Sequence, residues 1–310
     1  MTKNMTPKEF WQNFQLGTEQ ELAGNFIYDA LRNFHDMETL HSEMEIFPVL
    51  YGLSVGIERL LKVAVILLEF DDNTDIDSFE KSLITHNHLE LFNRIKDKKG
   101  LTFSDVQIGL LVLLSTFYKT HRYDRFTLQS VTDLSKDKKA FLLFLHKNLQ
   151  IDITEDVPFL PIKNSERIKK FIGGSTKKIA VELHNIIRDA AHTKGLYTYE
   201  LSSGYSKAAK VFFGDEDSII FEDEEIAAIE ALVFLMKTRK SKLIDFIKEI
   251  KPLPLDPALC GDYLQGLLHR RQNEMQSIIA EIEAHYEDIE DKKERYERIK
   301  AIRDPSIFFD

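Results

Sequence analysis

The sequence predicts an all-α chain that carries one small β-hairpin. Apolar residues recur at three- and four-residue steps through most of the 310 residues, and there are only 13 glycines and 8 prolines to interrupt them. The period becomes strand-like only in the Tyr-rich stretch after Gly195.

The runs Glu19 to Met37 and Glu38 to Glu69 predict two amphipathic helices of a bundle, the second kinked or divided at Pro48. Asp71, Asp72, Asn73 and Asp75 form a polar break, after which Phe79, Leu83, His86, Leu89, Phe92 and Ile95 predict helical packing down to Gly100. Phe103 to His121 and Lys136 to Leu149 predict two more helices, and Pro158 and Pro161 make Ile151 to Asn164 an extended crossing. Ser175 is the expected N-cap and Gly195 the expected C-terminal stop of a helix striped by Ile179, Leu183, Ile186, Ile187 and Ala190. Leu196 to Leu201 and Lys210 to Phe213, separated by Ser202-Ser203-Gly204, read as the hairpin. Helix resumes from Glu224 to Arg239, capped by Asp223, and a shorter helix runs to Ile250. The cluster Pro252, Pro254, Pro257 marks a boundary before a last helical pair between Asp262 and Arg303. The expected division is therefore a body over residues 1–250, with an insertion around 122–165, and a C-terminal helical extension over 251–310.

Forty-one Lys plus Arg against 51 Asp plus Glu leave a net charge of −10, so the chain as a whole repels nucleic acid and any RNA site must be a local patch. The single cysteine, Cys260, excludes an internal disulfide and a Cys-rich zinc site and is expected to be a small buried hydrophobe. Met1 to Phe10 is polar where a signal peptide needs an apolar core. The most apolar stretch, Val49 to Phe70, carries Glu58, Arg59 and Lys62 near its middle, which fits a core helix of a cytoplasmic protein and not a membrane span.

His184, Arg188 and His192 are four residues apart, so on a helix they form one strip, each step turning about 40° and rising about 6 Å. A guanidinium can grip an anionic phosphate with a fixed fork of donors, and an imidazole can move a proton near neutral pH. Phosphodiester cleavage needs that pair of functions. One metal ion cannot bridge His184 and His192, which are about 12 Å apart along the helix, and His35 and His41 point about 240° apart, so no metal and no cofactor is expected. The loop-like Phe171 to Lys178, with Gly173 and Gly174, lacks the phosphate-loop spacing and reads as a flexible lead into the next helix.

The segment Arg188-Asp189-Ala190-Ala191-His192-Thr193-Lys194-Gly195 resembles the signature helix of the HEPN superfamily, all-helical domains of bacterial toxin and defence systems. Gly56-Ile57-Glu58-Arg59-Leu60-Leu61-Lys62 is similar to that family's first Glu-and-Lys helix, and Thr85-His86-Asn87-His88-Leu89-Glu90-Leu91-Phe92 to the segment that follows it. The three pieces stand in the family's order between about Phe47 and Phe213. Three residues separate Arg188 from His192, where the family motif has four to six. The resemblance implies metal-independent endoribonuclease activity in a cleft between paired domains, so RNA and a homodimer partner are expected. By the same resemblance His192 is the acid or base, Arg188 steadies phosphate charge and Asp189 orients one of them or positions the helix. Glu58, Lys62 and His86 are read as packing or supporting positions.

RNA contacts are expected from His184, Lys177, Lys178 and Lys194, and from Arg122, Tyr123 and Arg125, where basic and aromatic residues interleave at a helix end. Those last three equally suit a helix C-terminus, with cations against the dipole and aromatics returning to the core. Two functions stay open on sequence: an antiviral or toxin-type ribonuclease, and a non-catalytic helical module that pairs subunits or holds a partner protein.

Overall fold

Thr6 and Glu9 satisfy each other's backbone N–H groups in a capping box, with Pro7 at the first helical position, and so open α1 (Pro7–Phe10). A π-helical turn, Trp11–Gln15, carries the chain into α2 (Leu16–Asp36). The structure is a computed structural model that describes residues 5–121, 136–153, 161–201, 203–204, 206–213, 220–238, 241–269 and 272–304. Its contacts divide the chain into two units, Met1–Ile220 and Phe221–Asp310.

The first unit is built around α3 (Glu43–Glu69), which is buried on nearly every side from Val49 to Leu67. Its largest interface is with α2, where small residues set the spacing. A Cβ on Gly56 would lie 2.6 Å from Ile27 Cγ1 and 2.8 Å from the Ala23 carbonyl oxygen, and one on Gly52 would lie 2.8 Å from Ala30 Cβ. The two backbones meet through glycine on one side and alanine on the other. Pro48 does not divide α3: the helix runs through the one i−4 hydrogen bond that proline cannot make, carried by the burial of the residues around it, Ile46, Val49 and Leu50.

Asp75 and Asn87 cap α4 (Ile76–Ser82) and α5 (His88–Lys99), so the single stretch expected there is two helices, the second stopped by Gly100 in the left-handed conformation, φ 67°. A Ser104/Gln107 capping box opens α6 (Asp105–Thr116), which a π-helical turn, Phe117–His121, prolongs. His88 is fully buried, with Nε2 2.9 Å from the Ser54 carbonyl oxygen of α3, and burial pushes its pKa down. α7 (Lys136–Leu149) spans the expected residues. Residues 161–165 run extended: Leu40 donates to the Ile162 carbonyl, Asn164 donates to the Glu38 carbonyl, and the Asn164 amide reaches the carbonyls of Phe34 and Met37.

Ser165, not Ser175, precedes the long helix α8 (Glu166–Lys194), and the helix passes through Gly173, Gly174 and Ser175 without a break. The apolar stripe Ile168, Ile172, Ile179, Leu183 is continuous across the glycines, so burial of that face carries the helix through them. An added Cβ at Gly173 or Gly174 meets nothing within 4 Å, and neither residue has positive φ. Gly173→Ala and Gly174→Ala are each expected to stabilise the chain by about 0.5–1 kcal/mol in urea unfolding, and destabilisation by either would contradict an unstrained helix there. Gly195 ends α8 in the left-handed conformation, φ 65°, as expected.

The expected hairpin is not formed. Among the described residues there is no strand, only an isolated bridge between Thr39 and Lys163. Leu196 to Leu201 is a turn in irregular backbone, pinned from outside: the Tyr197 N–H donates to Asn13 Oδ1 at 2.9 Å and the Thr198 hydroxyl to the Gln12 carbonyl at 2.6 Å. Lys207–Phe213 is helix α9, opened by the Ser206 hydroxyl accepting from the Ala209 N–H at 3.1 Å. Its Ala208 sits in the slot left by Gly24, where an added Cβ would lie 2.5 Å from Ala208 Cβ.

The second unit is also helical, with α10 (Ile220–Lys237), which starts at the last residue of the first unit, and α11 (Lys242–Lys248), α12 (Cys260–His269), α13 (Gln272–Glu287) and α14 (Lys292–Arg303). The division therefore falls ahead of the proline cluster expected to mark it. Those prolines stay inside the unit, because Arg295 of α14 donates to the Lys251 carbonyl at 2.5 Å and Arg298 pairs with Glu249 at 3.1 Å. Cys260 is exposed, not buried, since it opens α12 just after the Pro257 turn. Among the described residues no helix is long and apolar enough to cross a membrane.

Candidate active site at the end of the long helix

The strip His184, Arg188, His192 lies on the last turns of α8, and its three members meet different surroundings. His184 is 2% exposed: its ring stacks on Phe212 of α9 at 4.8 Å and 8°, with Phe213 edge-on at 5.0 Å. Burial first, and the Arg188 charge second, push its pKa down to about 4, so it is neutral inside the core. It has no surface to offer an RNA strand. Nor has Lys177, which is 3% exposed on the buried side of α8, whereas Lys178 beside it is exposed.

This neutral burial makes the fold acid-sensitive. A histidine whose folded pKa lies below its unfolded value of about 6.5 contributes fully above pH 6.5, and the contribution is lost as pH falls from there through about 4. His88 acts in the same direction. Urea midpoints are expected to drop between pH 7 and pH 5, and less steeply in His184→Phe, which keeps a ring in the slot. An equal drop in that variant would place the sensitivity elsewhere.

Arg188 and His192 reach solvent. The Arg188 side chain is 43% exposed and its Nε lies 3.2 Å from Asp189 Oδ1, so Asp189 holds one edge of the guanidinium fork. The exposed His192 ring rests on Tyr199 at 4.3 Å between centroids and 55° between planes. Tyr199 belongs to the turn that Asn13 and Gln12 pin, so the π-helical turn Trp11–Gln15 indirectly fixes the platform under His192. Lys194 is exposed, with its Nζ donating to the Phe70 carbonyl at 2.7 Å; burial, then Lys8, lowers its pKa, against the raising influence of Asp71 and Asp72. Arg122, Tyr123 and Arg125 lie outside the described residues.

No family model, curated protein or solved structure matches this chain.

A second polar group joins α3 to the start of α5. Glu58, 7% exposed, accepts from Lys62 Nζ at 2.7 Å and faces His86 Nδ1 at 3.0 Å. The three residues read from sequence as packing positions thus form one connected cluster, and the His86 ring also stands edge-on to Tyr118 at 4.7 Å. Beside the cluster opens a cavity of about 650 Å³ between the Trp11–Gln15 turn, α2, α3 and Tyr118. Sequence reasoning missed this cavity, because Trp11 and Tyr118 carry no local motif and are brought together only by packing.

Proposed function

We propose that the chain is a metal-independent endoribonuclease of toxin or defence type, acting through Arg188 and His192. The observation that supports it is their placement one helical turn apart on the exposed end of α8, with His192 propped on Tyr199 and Arg188 steered by Asp189. In this reading RNA supplies its own nucleophile. The 2′-hydroxyl attacks the adjacent phosphorus, the bond to the 5′-oxygen breaks, and the products are a 2′,3′-cyclic phosphate and a 5′-hydroxyl. The 2′-proton passes to a base and the leaving oxygen takes a proton from an acid; imidazole can serve either role near neutral pH. The Arg188 guanidinium steadies the charge that develops on the phosphate oxygens, and Lys178 is one of the exposed cations on the same helix. The HEPN resemblance adds a second copy of the chain, which brings a second Arg188 and His192 to the cleft. Total cellular RNA incubated with the purified chain and excess chelator is expected to yield discrete fragments, with DNA left intact. Intact RNA across a protein titration would overturn the proposal.

A second reading, a non-catalytic interaction or dimerisation module, is favoured by α10. This helix exposes Ile226, Ile229, Val233, Phe234, Leu235 and Met236, an apolar surface of the kind that marks a protein contact. If that reading holds, Phe234→Glu changes the mass of the assembly in light scattering and no RNA is cut.

A further inference from the structure

We propose that the cavity beside Glu58 is a binding site for the uncharged heteroaromatic ring of a nucleoside. Its volume of about 650 Å³ lies within the range of small-molecule sites, about 300–1,000 Å³. Two aromatic rings line it, and both are set in place by partners behind them. Trp11 stands edge-on to Phe70 at 5.4 Å, while Tyr118 is held by His86 at 4.7 Å and by Tyr51 at 5.9 Å. Rings fixed before a ligand arrives offer stacking surface at little ordering cost.

The charges on the wall select against ions. Arg59 is paired with Glu19, and Lys62 with Glu58, so the four charged side chains lining the cavity cancel in pairs. A phosphate brought to Arg59 or Lys62 would also meet the carboxylate of Glu19 or Glu58 beside it, and a cationic ligand brought to either carboxylate would meet the paired cation. An alkyl chain fits no better, because polar side chains line the cavity in equal number to apolar ones. A purine or pyrimidine meets both kinds of wall: its faces stack on aromatic rings, and its edge carries donors and acceptors for groups such as Gln15 and the paired carboxylates.

This site is separate from Arg188 and His192, and its test does not depend on RNA cleavage. Trp11 is the only tryptophan in the chain, so tryptophan emission comes from a ring that lines the cavity. Adenosine, guanosine, cytidine and uridine are titrated into the full chain, with inorganic phosphate and leucine as separate arms. A saturable change in Trp11 emission is expected with at least one nucleoside. The Kd should weaken by about tenfold or more in Tyr118→Leu and change little in Tyr118→Phe, which keeps the ring. The proposal is overturned if no nucleoside gives a saturable change while circular dichroism shows the chain folded. It is equally overturned if phosphate or leucine binds as tightly as the nucleosides, or if Tyr118→Leu binds like the wild type.

Discussion

Gly56→Val is expected to lower the stability of the first unit by roughly 3 kcal/mol, a fall of about 10 °C in Tm. The first carbon added would already lie 2.6 Å from Ile27 Cγ1 and 2.8 Å from the Ala23 carbonyl oxygen. A flexible side chain can move away, but a carbonyl in the middle of α2 cannot move unless the whole helix does. Valine adds two more methyl groups to a face that has no room for one. Since α3 also packs on α5, α6, α7 and α8, pushing α2 off it loosens the helix on which the rest of the unit is assembled. Thermal melts followed by circular dichroism check this directly, with Gly173→Ala as the contrasting case of a glycine whose added carbon meets nothing. A Gly56→Val chain that melts with the wild type would mean that α2 and α3 do not approach through Gly56.

Arg188→Ala is expected to lower RNA cleavage by about 10²–10³-fold, the usual cost of losing one preorganised group aimed at developing negative charge. Arg188→Lys keeps the charge and loses the planar fork that Asp189 orients, and is expected to fall between the two, roughly tenfold below wild type. The side chain is 43% exposed and its Nε bonds to Asp189, itself 64% exposed, so both variants should melt close to the wild type. Initial rates on a defined RNA oligonucleotide separate the three proteins. Equal rates in all three would remove Arg188 from the chemistry.

The long helices were legible because their apolar stripes follow one period over many residues, as in α2, α3 and α7, and Gly195 was legible as a stop because a left-handed residue is needed there. The hairpin misled for a physical reason. Tyr197, Thr198, Tyr199, Val211 and Phe212 favour strands by composition, yet the first three lie in a turn whose partners, Asn13 and Gln12, are some 184 and 186 residues away along the chain. Val211 and Phe212 are drawn into a short helix by the slot at Gly24. Gly173 and Gly174 were read as a loop on local propensity, which a stripe buried on both sides of them overrides. At the candidate site, spacing placed Arg188 and His192 on one strip. It did not reveal that His184, on the same strip, turns under Phe212 and Phe213, since that depends on where α9 packs. The pairing of Glu58 with both Lys62 and His86 was likewise hidden, because helix spacing accounts for Lys62 alone and the approach of His86 is tertiary.

The measurement that bears most directly on the central claim is the chemistry of the RNA ends left by the wild type and by His192→Ala, with chelator present throughout. The account predicts fragments carrying 2′,3′-cyclic phosphate and 5′-hydroxyl ends from the wild type, with cleavage reduced by about 10²–10⁴-fold in a folded His192→Ala chain. Fragments with 3′-hydroxyl and 5′-phosphate ends, or undiminished cutting by His192→Ala, would contradict it.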